Sequence, residues 1–266
     1  MKSALMLTEG LLKQAAAKAG LAPASLVVTR LDRPGPRLAI EPDRPFYPAS
    51  MIKTPLALAA YALVQSGELN PDESYQVTQA NMTANDKESP LVPGFAAPLH
   101  QLIELMLTIS DNVATNMLFD VVGRERATET VQNQFGLTKT AFYRKLSGSE
   151  PLIADPDWDG VHRNSHPAGD AARLFEMIAR DDVPFAGELR SILGRQQWNN
   201  KLSAGLSPGD RFAHKTGDTD EVTHDGGILH TEQSASYAIV VYTGLVSNDA
   251  NNAKFGPFMS AIRAEL

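Results

Sequence analysis

The chain has 266 residues, 43% hydrophobic and 21% charged, enough to bury a large core as one big domain or two intimate ones. A formal net charge of −7, with no polybasic run, excludes the usual signature of a nucleic-acid reader. The absence of cysteine excludes disulfides, thiolate catalysis and sulfur-ligated zinc. At the N-terminus the apolar run of residues 4–7 is too short for a secretory h-region, and no later segment is long enough to span a bilayer. A cytoplasmic protein, or an exported one whose leader has been removed, is the expectation. Residues 8–19 have helical composition, with Gly20 as a stop signal. Residues 25–31 and 37–40 read as strands around the turn Arg33-Pro34-Gly35-Pro36. From Met51 to Gln65 the Ala/Leu-rich run predicts a helix closed by Gly67, with Pro55 early enough for its missing N–H to be tolerated.

Apolar helical segments follow at 99–109 and 113–122, the second ended by Gly123. A loop-rich stretch runs from about 140 to 167, and 168–180 is helical again. The period then changes: 211–216, 227–230 and 237–242 read as strands, and a last helix covers about 251–264. Strands at both ends with helices between them predict an α/β (α+β) fold, an antiparallel sheet built from both termini and flanked by helices, with an inserted all-α subdomain. Residues 1–49 with about 190–266 make the sheet part, and about 50–189 the helical part. The active site is expected where the two join.

Three short motifs carry candidate chemistry. In Ser50-Met51-Ile52-Lys53 a serine and a lysine three apart share a helix face, so the lysine can reach the hydroxyl. Serine needs an adjacent base to become a nucleophile, and lysine supplies one when burial or neighbouring cations depress its pKa. No other serine in the chain has a lysine three residues later. Ser110-Asp111-Asn112 offers a hydroxyl that can carry a proton and an amide that can orient a substrate. Lys215-Thr216-Gly217 ends a predicted strand with a cation, a hydroxyl and a residue that permits close backbone approach, a combination suited to an anionic substrate group. Each has an ordinary structural reading: an N-cap serine with a surface lysine, a turn between two helices, and a strand end. The order S-x-x-K, S-D-N, K-T-G, at separations of 60 and 105 residues, is what favours catalysis.

Along nearly its whole length the chain resembles the serine β-lactamase-like superfamily of class A β-lactamases and penicillin-binding proteins. The resemblance extends from the motifs into Phe46-Tyr47-Pro48-Ala49-Ser50, the run Met106 through Asn116, and His224-Asp225-Gly226-Gly227-Ile228. It implies that Ser50 attacks a carbonyl carbon, Lys53 activates it, and Ser110 relays a proton to the departing nitrogen. By the same resemblance Asn112 holds the substrate's acyl-amide side chain, and Lys215 and Thr216 bind its carboxylate. The oxyanion hole comes from the backbone N–H groups of Ser50 and Asp218, the residue after Gly217. Asp218 departs from the family pattern and places a carboxylate where it can repel anionic substrates. Thr223 stands near where many class A enzymes keep an arginine for the substrate carboxylate. Glu150, in Glu150-Pro151-Leu152-Ile153-Ala154, is the candidate deacylation base, although the family's E-x-x-L-N pattern is imperfect and Ala154 replaces its asparagine. The protein this implies is a monomeric serine hydrolase with a small-molecule substrate, no cofactor, no metal, no nucleic acid and no membrane span. Hydrolysis of the β-lactam amide leads; a D-Ala-D-Ala peptidase-like penicillin-binding protein, an esterase, or a catalytically weak binder of β-lactams or peptidoglycan fragments are the alternatives.

Other patterns are weaker. Gly205-Leu206-Ser207-Pro208-Gly209 matches G-x-S-x-G, but Pro208 has no N–H for that motif's oxyanion hole. Asp155-Pro156-Asp157-Trp158-Asp159-Gly160 imitates half of an EF-hand, with His166 where the closing glutamate belongs. His162 and His166 have no third ligand for zinc.

Overall fold

The computed structural model describes residues 7–148 and 153–266. In chain order the elements are α1 (Glu9–Ala19), β1 (Ala24–Arg30), β2 (Arg37–Ile40), α2 (Lys53–Gln65), β3 (Ser74–Gln76), β4 (Ala96–Pro98), α3 (Leu99–Thr108) and α4 (Asn112–Val122). They continue as α5 (Arg124–Glu129), α6 (Ala168–Ala179), α7 (Ala186–Leu193), β5 (Arg211–Asp218), β6 (Thr223–His230), β7 (Ser236–Thr243), α8 (Asp249–Asn252) and α9 (Phe255–Arg263). The five-stranded sheet has the order β2-β1-β7-β6-β5, antiparallel throughout. β1 joins the N-terminal part to the C-terminal part through β7, in the register Leu26↔Val241. The antiparallel sheet drawn from both ends of the chain is therefore present.

Side-chain alternation on the central strand divides the interior in two. Tyr237, Ile239 and Val241 join the core that holds α1 and α9, while Ala238, Val240 and Tyr242 point into the core shared with α2, α3, α4, α6 and α7. Both faces of the sheet are covered, and this is why its strands read as continuous apolar runs rather than as alternation. α1 is capped as its sequence suggests: Thr8 Oγ1 accepts from Leu11 N–H, and Gly20 turns left-handed at φ 76°. α2 is buried on every side from Lys53 to Leu63, so its one lysine is enclosed from the outset.

The structure departs from the sequence reading at several boundaries. Ser50 does not open α2 but sits in a 3₁₀ turn, Ala49–Ile52, that leads into it. β6 begins at Thr223 rather than 227, and the C-terminal helix is two pieces, α8 and α9. α5, α7 and the β3–β4 hairpin were not signalled by periodicity.

Gly227 marks a close approach of β6 to its antiparallel neighbour β5, where it pairs with His214. A Cβ there would lie 2.2 Å from the Ala213 carbonyl oxygen and 2.5 Å from His214 Cβ, both fixed in the sheet. Gly227→Ala is expected to destabilise the fold by about 3 kcal/mol, read as a lower urea midpoint with little change in slope.

Candidate active site

Three chain segments meet beside the Ser50 turn. The turn is entered through Ala49 at φ 49°, a left-handed conformation that a residue with a Cβ adopts only under local constraint. Ser50 is half-buried, and among the described residues its Oγ makes no hydrogen bond. β5 runs alongside the turn: an ideal Cβ on Gly217 would come within 3.0 Å of Pro48 O, 3.1 Å of Met51 Cγ and 3.2 Å of Ala49 Cβ. Glycine is thus what lets the strand end lie against the serine turn.

The expected direct Lys53–Ser50 hydrogen bond is not formed. Lys53 Nζ instead donates to the Ser110 carbonyl at 2.6 Å, to Asn112 Oδ1 at 2.7 Å and to Ser110 Oγ at 3.1 Å. Burial pushes the Lys53 ammonium well below its usual range, and the neighbouring Lys215 cation pushes it further down. Lys215 Nζ donates to Ser110 Oγ at 3.0 Å and to Thr216 O at 2.9 Å. Its pKa is lowered to about 7, by burial foremost, with Asp218 opposing and Lys201 adding to the shift. Ser110 itself is left-handed, φ 61°. Its hydroxyl oxygen accepts from two lysines, which occupies both lone pairs and leaves the O–H free to donate elsewhere.

The remaining motif residues hold this arrangement in place. Asp111 caps α4, its Oδ1 accepting from Ala114 N at 2.9 Å, as the structural reading of that turn expects. Asn112 Nδ2 donates to Ala84 O at 2.8 Å, and its backbone N–H donates to Asn85 Oδ1 at 2.6 Å. The Asn112 amide is therefore already engaged at both ends, with Lys53 on its oxygen. The 84–85 loop carries no motif and escaped the sequence reading.

Asp218 is placed differently from the expectation that its carboxylate opposes an anionic substrate. Lys201 Nζ donates to Asp218 Oδ1 at 2.6 Å, Ser247 Oγ donates to the same oxygen, and Thr223 Oγ1 lies 3.2 Å from it. Burial works to raise this carboxyl, but the Lys201 ammonium and these hydrogen bonds outweigh it and hold it below the usual carboxylate range. The negative charge is compensated from behind. Thr223 is fully buried, and its single O–H lies between Asp218 Oδ1 at 3.2 Å and Asn252 Oδ1 at 2.7 Å, so it too is part of this framework.

Glu150 lies outside the described residues. The chain on either side of it is firmly attached. Leu146 N donates to Asn116 Oδ1 at 2.8 Å, and Asn116 Nδ2 returns a bond to Leu146 O at 2.9 Å, tying the entry to α4. Gly148 packs so closely on the Ala84 carbonyl that a Cβ would be 2.5 Å from it, and this carbonyl is the acceptor of Asn112 Nδ2. Farther along the chain, Asp155 takes a bidentate pair from Arg124 at 2.7 and 2.9 Å, and Asn164 Oδ1 accepts from Tyr143 N and Arg144 N. The EF-hand-like aspartates are thereby accounted for: Asp155 serves Arg124, and Asp159 pairs with His162. His166 is buried against Thr140 Oγ1 at 2.7 Å, and burial lowers its pKa to about 3.

A family model described as the beta-lactamase enzyme family matches residues 9–262. The chain belongs to the beta-lactamase enzyme family. Among curated proteins, this β-lactamase-family chain is 29% identical over 219 residues to the extended-spectrum beta-lactamase PER-1 of Pseudomonas aeruginosa, covering 77% of this chain and 70% of that protein. Among solved structures it is similar to PBP-A, with 27% identity, a TM-score of 0.81, and coverage of 95% of this chain and 94% of that one. The ancestral class A β-lactamase GNCA superposes with a TM-score of 0.82 at 23% identity, covering 96% of this chain and 100% of that one, and shows the shared fold. The β-lactamase-family protein described here is a serine hydrolase.

Proposed function

We propose that this protein hydrolyses the amide of a small β-lactam through an acyl-enzyme on Ser50. The observation that carries the proposal is the buried Lys53 Nζ bonded to a carbonyl, a hydroxyl and an amide rather than to a carboxylate. A lysine so placed loses its proton readily, and as a neutral amine it has a lone pair to take the proton of Ser50. Ser50 attacks the ring carbonyl, and the oxyanion develops against the N–H groups of Ser50 and Asp218. The latter assignment is supported by strand geometry. Thr219 N donates to Val222 O, so positions 217 and 219 bond across to β6, while Asp218, paired with Thr223, directs its N–H off the open edge of β5 toward the serine turn.

As the ring C–N bond breaks, Ser110 donates its free O–H to the nitrogen and is reprotonated from the Lys53 side, with which it is hydrogen bonded. Lys215 and Thr216 take the substrate carboxylate. Asn112 orients the acyl-amide group while anchoring Lys53. Release of the acyl group requires water activated by Glu150; of the residues before it in the chain, Leu146 is bonded to Asn116 and Gly148 packs on Ala84 O, the acceptor of Asn112 Nδ2.

Intact-mass measurement during incubation with penicillin tests this. Wild type is expected to form hydrolysed product with only a transient adduct, and Glu150→Gln to slow deacylation by about 10²–10⁴-fold and hold the adduct on Ser50. Equal release by both proteins would remove Glu150 from the mechanism. A second reading is favoured by one feature: Ala154 stands where the family pattern has an asparagine. A stable adduct in wild type would establish a penicillin-binding role, in keeping with the likeness to PBP-A. Ester cleavage without an adduct or β-lactam product would indicate an esterase or peptidase, and none of these events a binder.

A further inference from the structure

Behind the serine turn lies a buried cation that the three motifs do not include. Lys201 is 1% exposed and sits just before a 3₁₀ turn, Leu202–Gly205. Its Nζ donates to Asp218 Oδ1 at 2.6 Å, to His224 O at 2.9 Å and to Gly217 O at 3.3 Å, and lies 5.7 Å from the centre of the Phe255 ring. Three acceptors match the three N–H bonds of an ammonium, so Lys201 has none left for a substrate.

Gly217 O and Asp218 N belong to one planar peptide and project in opposite directions. A cation on the carbonyl side therefore helps to fix where the N–H points, and its attraction for the Asp218 side chain keeps that carboxylate turned back. We propose that Lys201 is a positioning residue for acyl transfer: it holds the Gly217–Asp218 peptide and neutralises Asp218, so that the Asp218 N–H meets the oxyanion without an opposing negative charge. The inference rests on the acyl-enzyme reading of Ser50.

The groups around Asp218 define what removal of Lys201 does. They are Lys215 on β5, Thr223 and His224 on β6, Ser247 after β7, and Asn252 on α8 behind Thr223. His224 is buried and neutral near pH 7, since burial lowers its pKa to about 4. Lys215 is committed to Ser110 and Thr216 O. Lys201 is thus the cation hydrogen bonded to Asp218.

The test compares wild type, Lys201→Met, Asp218→Asn and the double variant by single-turnover acylation with a fluorescent penicillin, on both sides of neutrality. Lys201→Met is expected to acylate about 10²-fold more slowly at neutral pH, the scale of losing one oxyanion donor, with little change in half-saturating penicillin. Its deficit relative to wild type shrinks as acid neutralises the unpaired Asp218, and adding Asp218→Asn recovers most of the rate. A loss that is uniform with pH, or a double variant as slow as Lys201→Met, overturns the assignment. If Lys201→Met does not fold, the double variant is set against Asp218→Asn: rates within about fivefold support the coupling, and a gap of about 10²-fold overturns it. Carboxyl NMR titration separates this proposal from the reading it rests on. Asp218 is expected to titrate low in wild type, and a carboxyl titrating in the ordinary range overturns the Lys201 pairing. Absence of any wild-type adduct or product refutes the acyl-enzyme reading instead.

Discussion

Replacing Ser50 with alanine is expected to lower β-lactam turnover by about 10⁴- to 10⁶-fold and to eliminate the covalent adduct seen by intact mass. The residual rate comes from groups that the substitution leaves in place, the N–H donors and Lys215. Stability should hardly change, because the Ser50 hydroxyl makes no hydrogen bond among the described residues and an alanine already precedes it in the same turn. Penicillin binding before acylation should persist, since Lys215 and Thr216 are untouched. An adduct that survives Ser50→Ala, on any other residue, would refute the assignment of the nucleophile.

Lys53 gives the second large effect, and its sign follows from its surroundings. The protonated amine spends its N–H bonds on Ser110 and Asn112, so only the neutral form can accept the Ser50 proton. Acylation should therefore rise with pH as Lys53 is deprotonated, at a pH well below that of a free lysine. Lys215 acts in the opposite sense: it must stay charged to hold a carboxylate, and in the free enzyme its pKa is about 7. The profile of kcat/KM should be a bell whose limbs belong to the coupled pair rather than to either residue alone. Lys53→Arg keeps the positive charge but cannot lose its proton, and should cost about 10²–10⁴-fold while abolishing the ascending limb. An unchanged ascending limb in that variant would assign the base elsewhere.

Much of the site was legible in the sequence because its chemistry is concentrated in short motifs. Ser110, Asn112, Lys53 and Lys215 are widely separated in the chain, yet their hydrogen bonds form one cluster. The strands were legible where apolar residues face both cores, as in β7. At the start of β6 apolar periodicity gives no signal, and only the resemblance of His224-Asp225-Gly226-Gly227-Ile228 points to the strand, because Thr223, His224 and Asp225 are polar. Each is buried with a polar partner from a distant segment: Asn252 for Thr223, the Tyr47 carbonyl for His224, and His214 for Asp225. Lys201 was hidden for the same reason, since its significance arises only once β5 and β6 lie against it. The turn at Ser50 was misread as helix because composition does not distinguish a 3₁₀ entry from the first turn of α2.

The pairing of β1 with β7 also sets an order of events during synthesis. Ala24–Arg30 leaves the ribosome early but must wait for Ser236–Thr243, which emerges near the end of the chain. Until then β1 lacks its central partner, and Lys215 lacks a completed sheet to hold it beside Ser110. The helices α2 to α4 can pack on one another beforehand, whereas the sheet requires closure of a very long loop, a slow kind of step. The nascent chain should thus gain its helical core first and its reactivity toward penicillin only after β7 has been made, so that intermediates stalled before that point carry Ser50 but do not yet label.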